Sequence, residues 1–194
     1  MVVSVVVVNV RSEKNLGMWG AILNLLGGFI PYIGGIIALV GFLMVLFSLK
    51  GISDATGDER PFKKYFYGVL FAIGGIIVIA VLLLSMLAVF PSGRELSKSA
   101  GIGIAVLFFV LLISLIIGSA YFQKQAWEAM YEITKTQEFR DAANWVWWGA
   151  LTSIVLIGFI LLLIAQIYII IGFSKMPEEI GEEPAPSAEE VITW

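Results

Sequence analysis

The chain has no cysteine and no histidine, and it is poor in charged residues. Without cysteine there is no disulfide, thiolate nucleophile or thiolate metal ligand, and without histidine the commonest general base and metal ligand is missing. Charged residues make up 14% of the sequence, whereas they make up ~25% of an average soluble protein. These absences exclude a secreted disulfide scaffold and an ordinary cytosolic enzyme.

Apolar residues take the place of the missing charges. They make up 59% of the 194 residues, against ~45–50% in soluble proteins, and the mean hydropathy is +0.95. A soluble domain of this size cannot cover so much apolar surface with so few charges. The composition therefore predicts an all-α fold, a multi-span transmembrane helical bundle. The net charge of −3 is too small to indicate a nucleic-acid partner.

Five apolar segments predict the membrane-spanning helices. They are residues 16–29, 32–49, 66–90, 101–122 and 145–173. Each of the last three has the ~20 residues that cross a hydrocarbon core. The first two are separated at Pro31, which lacks an N–H and disfavours helical geometry in the residue before it. We expect them to form a hairpin, which is either two full spans or a re-entrant dip.

Charges between the segments predict how the bundle is oriented. With a hairpin at the start, nine of the twelve basic residues lie on the side of the N-terminus and three on the other side. Basic residues are enriched on the cytoplasmic side of membrane proteins. We therefore expect a multi-pass protein of the cell membrane with its N-terminus in the cytoplasm and its C-terminus outside.

Three further segments flank the predicted spans. Residues 1–15 form a valine-rich extension, which is either a short strand at the membrane surface or a translation start assigned too far upstream. Residues 123–141 carry apolar side chains at helical spacing and predict an amphipathic helix in the cytoplasm. Residues 174–194 are acidic and proline-rich, which predicts a disordered tail. Because neither end has an apolar face that the spans need, we expect the bundle to fold without them.

Small residues recur at a spacing that favours helix contacts. Gly34 and Ala38 lie four residues apart, as do Gly68 and Ala72. This spacing places each pair on one face of a helix, where two backbones can approach closely in lipid. We predict that both pairs are helix-packing faces.

The sequence offers little catalytic chemistry. No acidic or basic residue falls within a predicted span, which argues against a proton-coupled carrier. We predict no catalytic, cofactor-binding or metal site, and no cofactor. The amides of Asn24 and Gln166 are the buried polar groups that most need a partner in lipid. Three basic residues at the foot of the third span, Arg60, Lys63 and Lys64, are candidate contacts for anionic lipid.

The order of several short motifs resembles DUF996, an archaeal family of multi-pass membrane proteins of unknown function. The resemblance covers about residues 16–176. Its landmarks are Leu16-Gly17, Ile30-Pro31, Gly57-Asp58, Phe139 and Ile171-Gly172-Phe173. It implies an integral membrane bundle and carries no assigned activity, so it assigns no role to any residue.

Two hypotheses about function follow from these observations. The first is a non-enzymatic integral membrane protein that acts through contacts with membrane lipids, with a second copy of the chain or with another membrane protein. The alternative is a small channel or carrier for an uncharged or weakly polar solute. A measurement of solute flux into liposomes that contain the purified protein distinguishes the two hypotheses.

Overall fold

Six helices and one pair of short strands make up the part of the chain that the structure describes. The structure, a computed structural model, describes residues 7–89, 98–153 and 157–181. The elements in chain order are β1 (Val8–Asn9), α1 (Arg11–Gly27), α2 (Gly34–Thr56), α3 (Arg60–Val89), α4 (Lys98–Thr134), α5 (Gln137–Leu151), α6 (Ile157–Lys175) and β2 (Glu179–Ile180). The prediction of an all-α helical bundle is confirmed.

The helices form three antiparallel hairpins, α1–α2, α3–α4 and α5–α6. Helix α6 packs against α1 and α5 packs against α4, so the α5–α6 hairpin lies between the other two. Helices α2 and α3 also meet, and Phe42 in the middle of α2 stacks on Tyr65 near the start of α3 with ring centroids 5.8 Å apart. At this end the six helices close into a ring.

Glycines let α1 and α2 pack backbone to backbone. A Cβ added to Gly41 would lie 2.3 Å from the main-chain nitrogen of Asn24, and one added to Gly27 would lie 2.5 Å from that of Ala38. Such separations leave no room for a side chain, and close backbone approach through small residues is typical of helix pairs in lipid. The amide of Asn24 adds a hydrogen bond from Nδ2 to the main-chain oxygen of Ala38 at 3.0 Å.

The packed core lies at the closed end of the ring, which we call the head (residues 8–17, 48–65, 123–142 and 169–180). The largest fully buried side chains here come from α2, α4, α5 and α6, and they include Leu49, Ile52, Trp127, Met130, Phe139 and Phe173. Farther from the head, most side chains of α3 and α4 are exposed or half-buried. The head is therefore the part of the protein that has a conventional core.

The two ends of the described chain meet at the head. Strand β1 pairs antiparallel with β2, with Val8 opposite Ile180, and the main-chain N–H of Val10 donates to the oxygen of Glu178 at 2.8 Å. Val10 and Met176 are fully buried. The prediction that the termini lie on opposite sides of the membrane is wrong for the described residues, because strands on opposite sides of a bilayer cannot pair.

The predicted extension and tail need a related correction. The tail prediction for residues 174–194 is wrong for its first part, because Met176 enters the core and Glu179–Ile180 forms a strand. The expectation that the bundle folds without either end conflicts with the same contacts. Residues 1–6 and 182–194 of these two segments lie outside the described residues.

The predicted fifth span, residues 145–173, is divided between two helices. Helix α5 ends at Leu151, and α6 begins at Ile157 and runs back along it. After α5, the hydroxyls of Thr152 and Ser153 donate to main-chain oxygens of the last turn, both at 2.7 Å, so that these carbonyls keep a partner in apolar surroundings. As one straight helix the 29 residues would measure about 44 Å, well beyond a hydrocarbon core.

A second break divides the amphipathic helix predicted at residues 123–141. Helix α4 continues from the membrane to Thr134, and Lys135 then adopts a positive φ of 55°. A left-handed residue is a common way to end a helix. Helix α5 starts at Gln137 and packs back along α4, so the predicted helix is in fact the corner of a hairpin.

The three hairpins extend to different distances from the head. Tyr65, Gly17 and Phe139 mark one common level, because each contacts Trp127 or Phe173. At 1.5 Å per residue, α3 continues about 36 Å beyond this level, α1 about 15 Å and α5 about 18 Å. From the head, the α3–α4 hairpin alone therefore exceeds the ~30 Å of a hydrocarbon core.

Four of the described helices, α2, α3, α4 and α6, are long and apolar enough to cross a membrane. Their hairpin partners α1 and α5 have 17 and 15 residues, fewer than the ~20 that a crossing requires. Four candidate spans thus replace the five predicted ones.

Single cysteines test this arrangement without background, since the native chain has none. We expect Ser12→Cys and Ser174→Cys, both exposed at the head, to react with an impermeant maleimide from one side of the membrane, and Ser97→Cys, between α3 and α4, from the other. Tyr32→Cys, at the α1–α2 turn, should react from neither side because the short hairpin ends within the bilayer. Labelling of Tyr32→Cys together with Ser97→Cys would show instead that α1–α2 crosses completely.

Truncation separates the contribution of β2 from that of the residues beyond it. A chain that ends at Gly181 keeps β2, whereas one that ends at Lys175 loses the strand and the buried Met176. Because loss of a buried methionine side chain costs roughly 2–5 kcal/mol, we expect a clearly lower melting temperature in detergent for the shorter chain only. Equal melting temperatures would contradict the role of the strand pair.

Substitution of glycine by alanine tests the contact between α1 and α2. In Gly41→Ala the new methyl group meets the backbone of α1, and we expect a loss of roughly 1–3 kcal/mol, as in overpacked cores. Gly74→Ala is the matched control, because nothing lies within 4 Å of its Cβ position and alanine favours the helix. If both variants melt at the wild-type temperature, the two helices are not in backbone contact.

Candidate functional site

Three fully buried rings form the centre of the head. Trp127 of α4 stacks on Phe139 of α5, with centroids 5.8 Å apart and planes 5° from parallel. Phe173 of α6 meets both rings edge-on, at 6.0 and 5.2 Å, and Tyr65 of α3 meets Trp127 at 5.7 Å. Gly17 of α1 makes room for Phe173, since a Cβ there would lie 2.3 Å from the ring. The aromatic cluster thus joins five of the six helices.

The indole of Trp127 also contains a buried N–H that has no hydrogen-bond partner in the described part of the chain. Its neighbours are aromatic rings, whose negatively polarised π faces attract an N–H weakly. The side chain is 1% exposed. We therefore assign Trp127 to packing and not to a polar site.

Ion pairs fix the connections between helices around the core. Arg60, at the start of α3, donates to both carboxylate oxygens of Asp58 and to Glu132 of α4, the latter at 2.5 Å. The hydrogen bond from Arg60 lowers the pKa of Asp58 below its usual value. All three side chains are partly exposed, so the triad orients the α2–α3 turn against α4 but adds little to the free energy of unfolding.

Two further ion pairs hold the chain's last helix and strand. Lys175 of α6 donates to Glu138 of α5 at 2.5 Å, and this hydrogen bond lowers the pKa of the Glu138 carboxyl. Beside the strand pair, Arg11 approaches Glu178 to 3.7 Å. Attractive charge contacts thus join α5 to α6 and the start of α1 to the segment beside β2.

The charges of the head balance. Its basic residues are Arg11, Lys14, Lys50, Arg60, Lys63, Lys64, Lys124, Lys135, Arg140 and Lys175, and its acidic residues are Glu13, Asp54, Asp58, Glu59, Glu128, Glu132, Glu138, Asp141, Glu178 and Glu179. Ten positive charges thus meet ten negative ones. The net charge of the chain, −3, arises outside the head.

The three residues predicted to contact anionic lipid lie together at the start of α3. Arg60 is held by Asp58 and Glu132, and Lys63 is paired with Glu59. Lys64 is half-buried and forms no ion pair within the described residues. Lipid binding by this group stays a prediction, with two of its three charges already engaged by carboxylates.

The predicted packing residues lie at two separate helix contacts. A Cβ on Gly34 would lie 2.1 Å from the main-chain oxygen of Gly27, and Ala38 lies against the same residue of α1. Gly68 faces α4, and Ala72 lines a cleft between the α3–α4 and α5–α6 hairpins. The structure does not bring the two pairs together.

The two predicted amides, in contrast, do lie together. Asn24 and Gln166 line one cleft of about 360 Å³ between α1 and α6. Nε2 of Gln166 donates to the main-chain oxygen of Ala21 at 3.1 Å, and Nδ2 of Asn24 donates to that of Ala38. Each amide therefore links its own helix to a neighbour.

Seven of the ten carboxylates of the head pair with a lysine or arginine side chain. In the ranges 7–89, 98–153 and 157–181 no three metal-ligating side chains come together. Ion pairing of this kind leaves the carboxylates occupied by lysine and arginine. The charged surface of the head is therefore built largely of ion pairs.

Comparison with known proteins identifies the family. The profile described as "Protein of unknown function (DUF996)" matches residues 37–167, from α2 into α6. The chain belongs to the DUF996 family. It is also 32% identical over 180 residues to Uncharacterized protein MJ1644 of Methanocaldococcus jannaschii, in an alignment that covers 89% of this chain and 96% of the relative. No solved structure matches the chain.

In this DUF996 protein, several landmarks of the predicted resemblance have packing roles. Gly57 ends α2 with a φ of 75°, Asp58 binds the arginine of α3, and Phe139 and Phe173 belong to the aromatic cluster. The sequence did not reveal that these two rings meet Trp127. The sequence did contain a signal for an aromatic core outside the membrane. Trp127 and Phe139 are large aromatic residues in a segment that is too polar to span a membrane.

Proposed function

We propose that this DUF996 protein is a non-enzymatic integral membrane protein whose head contacts another membrane protein, or a second copy of the chain, at the cytoplasmic surface. The packed head carries the proposal. Its core fixes the ends of the helices, and ion pairs hold charged side chains in set positions around that core. A rigid surface with a fixed pattern of both charges favours specific protein recognition.

The distribution of basic residues supports a cytoplasmic head. Ten of the twelve lysines and arginines lie in the head, and the other two, Arg94 and Lys98, lie between α3 and α4 or at the start of α4. Positive charge is enriched on the cytoplasmic side of membrane proteins. We therefore propose that the N-terminus and the C-terminus both lie in the cytoplasm, with the turn of the α3–α4 hairpin outside.

The balance of charge favours a protein partner over anionic lipid. A basic residue near a membrane surface gains ~1 kcal/mol from anionic headgroups, but the ten positive charges of the head are offset by ten negative ones. Arg60 and Lys63 are also occupied by carboxylates. The head therefore lacks the uncompensated positive patch that lipid recruitment uses.

The aromatic cluster favours a contact protein over a channel. Trp127, Phe139 and Phe173 are fully buried at the centre of the ring, where a pore through the head would run. The predicted spans contain no ionisable residue that would mark an ion or proton path. A small carrier for an uncharged solute is the second candidate, because the cleft of Asn24 and Gln166 offers polar groups among apolar helices.

An exchange of charges on the head tests the proposal. Lys124 and Glu128 lie one turn apart on α4 and 3.3 Å from each other, so Lys124→Glu with Glu128→Lys keeps an attractive pair but reverses the surface pattern. We expect the amount of protein that is recovered with this variant after cross-linking in native membranes to fall at least tenfold. The reason is that misplaced like charges at an interface cost several kcal/mol. The melting temperature should stay close to that of the wild type.

The matched control exchanges two charges away from the head. Arg94→Glu with Glu95→Arg, between α3 and α4, also leaves the net charge unchanged, and it should keep the cross-linked proteins. Equal recovery from the two double variants would contradict a contact surface on the head. Uptake of glycerol by liposomes that contain the purified protein would favour the carrier instead.

A further inference from the structure

The cleft between α1 and α6 has the dimensions and lining of a ligand site. It encloses about 360 Å³, within the roughly 300–1,000 Å³ of small-molecule sites. Its walls are leucine and phenylalanine side chains of both helices, and its polar side chains are the amides of Asn24 and Gln166. Phe29 and Phe159 at its rim are 66% and 58% exposed, so the cleft opens toward the surroundings of the bundle.

Hydrogen bonds orient the two amides and leave their oxygens as acceptors. Nδ2 of Asn24 donates to the main-chain oxygen of Ala38 at 3.0 Å, and Nε2 of Gln166 donates to that of Ala21 at 3.1 Å. Each amide nitrogen keeps a second N–H, and no donor among the described residues bonds to Oδ1 of Asn24 or Oε1 of Gln166. An amide oxygen without a donor is unfavourable in apolar surroundings.

The lining selects the chemical class of the ligand. No lysine, arginine, aspartate or glutamate lines the cleft, and an unpaired ion is strongly disfavoured in such a site. A neutral hydroxyl group can donate to an amide oxygen and accept from the second N–H of an amide nitrogen. The apolar walls suit an alkyl chain. We propose that the cleft binds a neutral alcohol dissolved in the membrane, with its hydroxyl group donating to Asn24 or Gln166 and its chain against the leucine and phenylalanine walls.

Binding of radiolabelled dodecanol to the full chain in phosphatidylcholine nanodiscs tests the proposal. The comparison ligand is dodecyl methyl ether, which has the same alkyl chain and an ether oxygen but no donor. We expect the alcohol to bind roughly fivefold to tenfold more tightly than the ether, the effect of one net hydrogen bond. Equal affinities of the two ligands for the wild-type protein would overturn the proposal.

Three variants locate the site. Gln166→Met removes an acceptor at similar side-chain length, and it should reduce the affinity for dodecanol toward that for the ether. Gly28→Leu fills the cleft, and its backbone tolerates a side chain, with φ at −63° and the nearest atom of Leu25 3.4 Å from the Cβ position. We expect it to lose at least tenfold in affinity. Gly35→Leu is the matched control, because nothing lies within 4 Å of its Cβ position, and it should bind as the wild type does.

The two kinds of variant keep the test decisive if one of them folds poorly. Melting temperatures identify such a variant. Should Gly28→Leu fail to fold, the affinities of Gln166→Met for the alcohol and for the ether still test the proposal. A merely structural role of Gln166 would lower the affinity for both ligands equally. Wild-type affinity in a folded Gly28→Leu would show that the alcohol binds elsewhere and would overturn the assignment.

Discussion

Trp127, Phe139 and Phe173 pack against one another, and these contacts set where the other elements lie. Large rings of this kind bury roughly 150–250 Å² each, and the gain is greatest where the alternative is exposure to water. Within lipid that gain vanishes, because acyl chains are as apolar as leucine. The division in the structure follows from this difference: a conventional core stabilises the head, whereas beyond it helices associate through glycine contacts and through the amides of Asn24 and Gln166.

The length of the helices imposes the second constraint. Starting from the aromatic cluster, α3 and α4 extend far enough to cross a hydrocarbon core, and their distal side chains contact little besides each other. The shorter α1–α2 and α5–α6 hairpins pack at the head and against one another. In the proposed topology the long α3–α4 hairpin anchors the protein in the membrane, and the two shorter hairpins build the surface that it holds there. The proposed contact function requires both a membrane anchor and a packed surface next to the membrane.

Composition and apolar runs were sufficient to predict the helical bundle and the hairpin at Pro31, because these depend on local sequence. The resemblance of several short motifs indicated the family. The division of residues 145–173 was missed since no proline or charge marks it, although its length already exceeded one crossing. The pairing of Val8 with Ile180 joins residues at opposite ends of the chain, and no local pattern carries such a contact. For the same reason the cleft was not predicted: Asn24 and Gln166 stood out singly, and only the packing of α6 on α1 brings them together.

In the proposed topology both described ends of the chain close one head on one side of the membrane. Asn9 and Glu179 are strand partners, so the distance between them tests the claim most directly. A chain with Asn9→Cys and Glu179→Cys should be joined by a short bismaleimide in intact membranes, whereas the pair Asn9→Cys and Tyr32→Cys, at opposite ends of α1, should not. Failure of the first pair to cross-link, while each cysteine alone reacts with maleimide, would contradict the account.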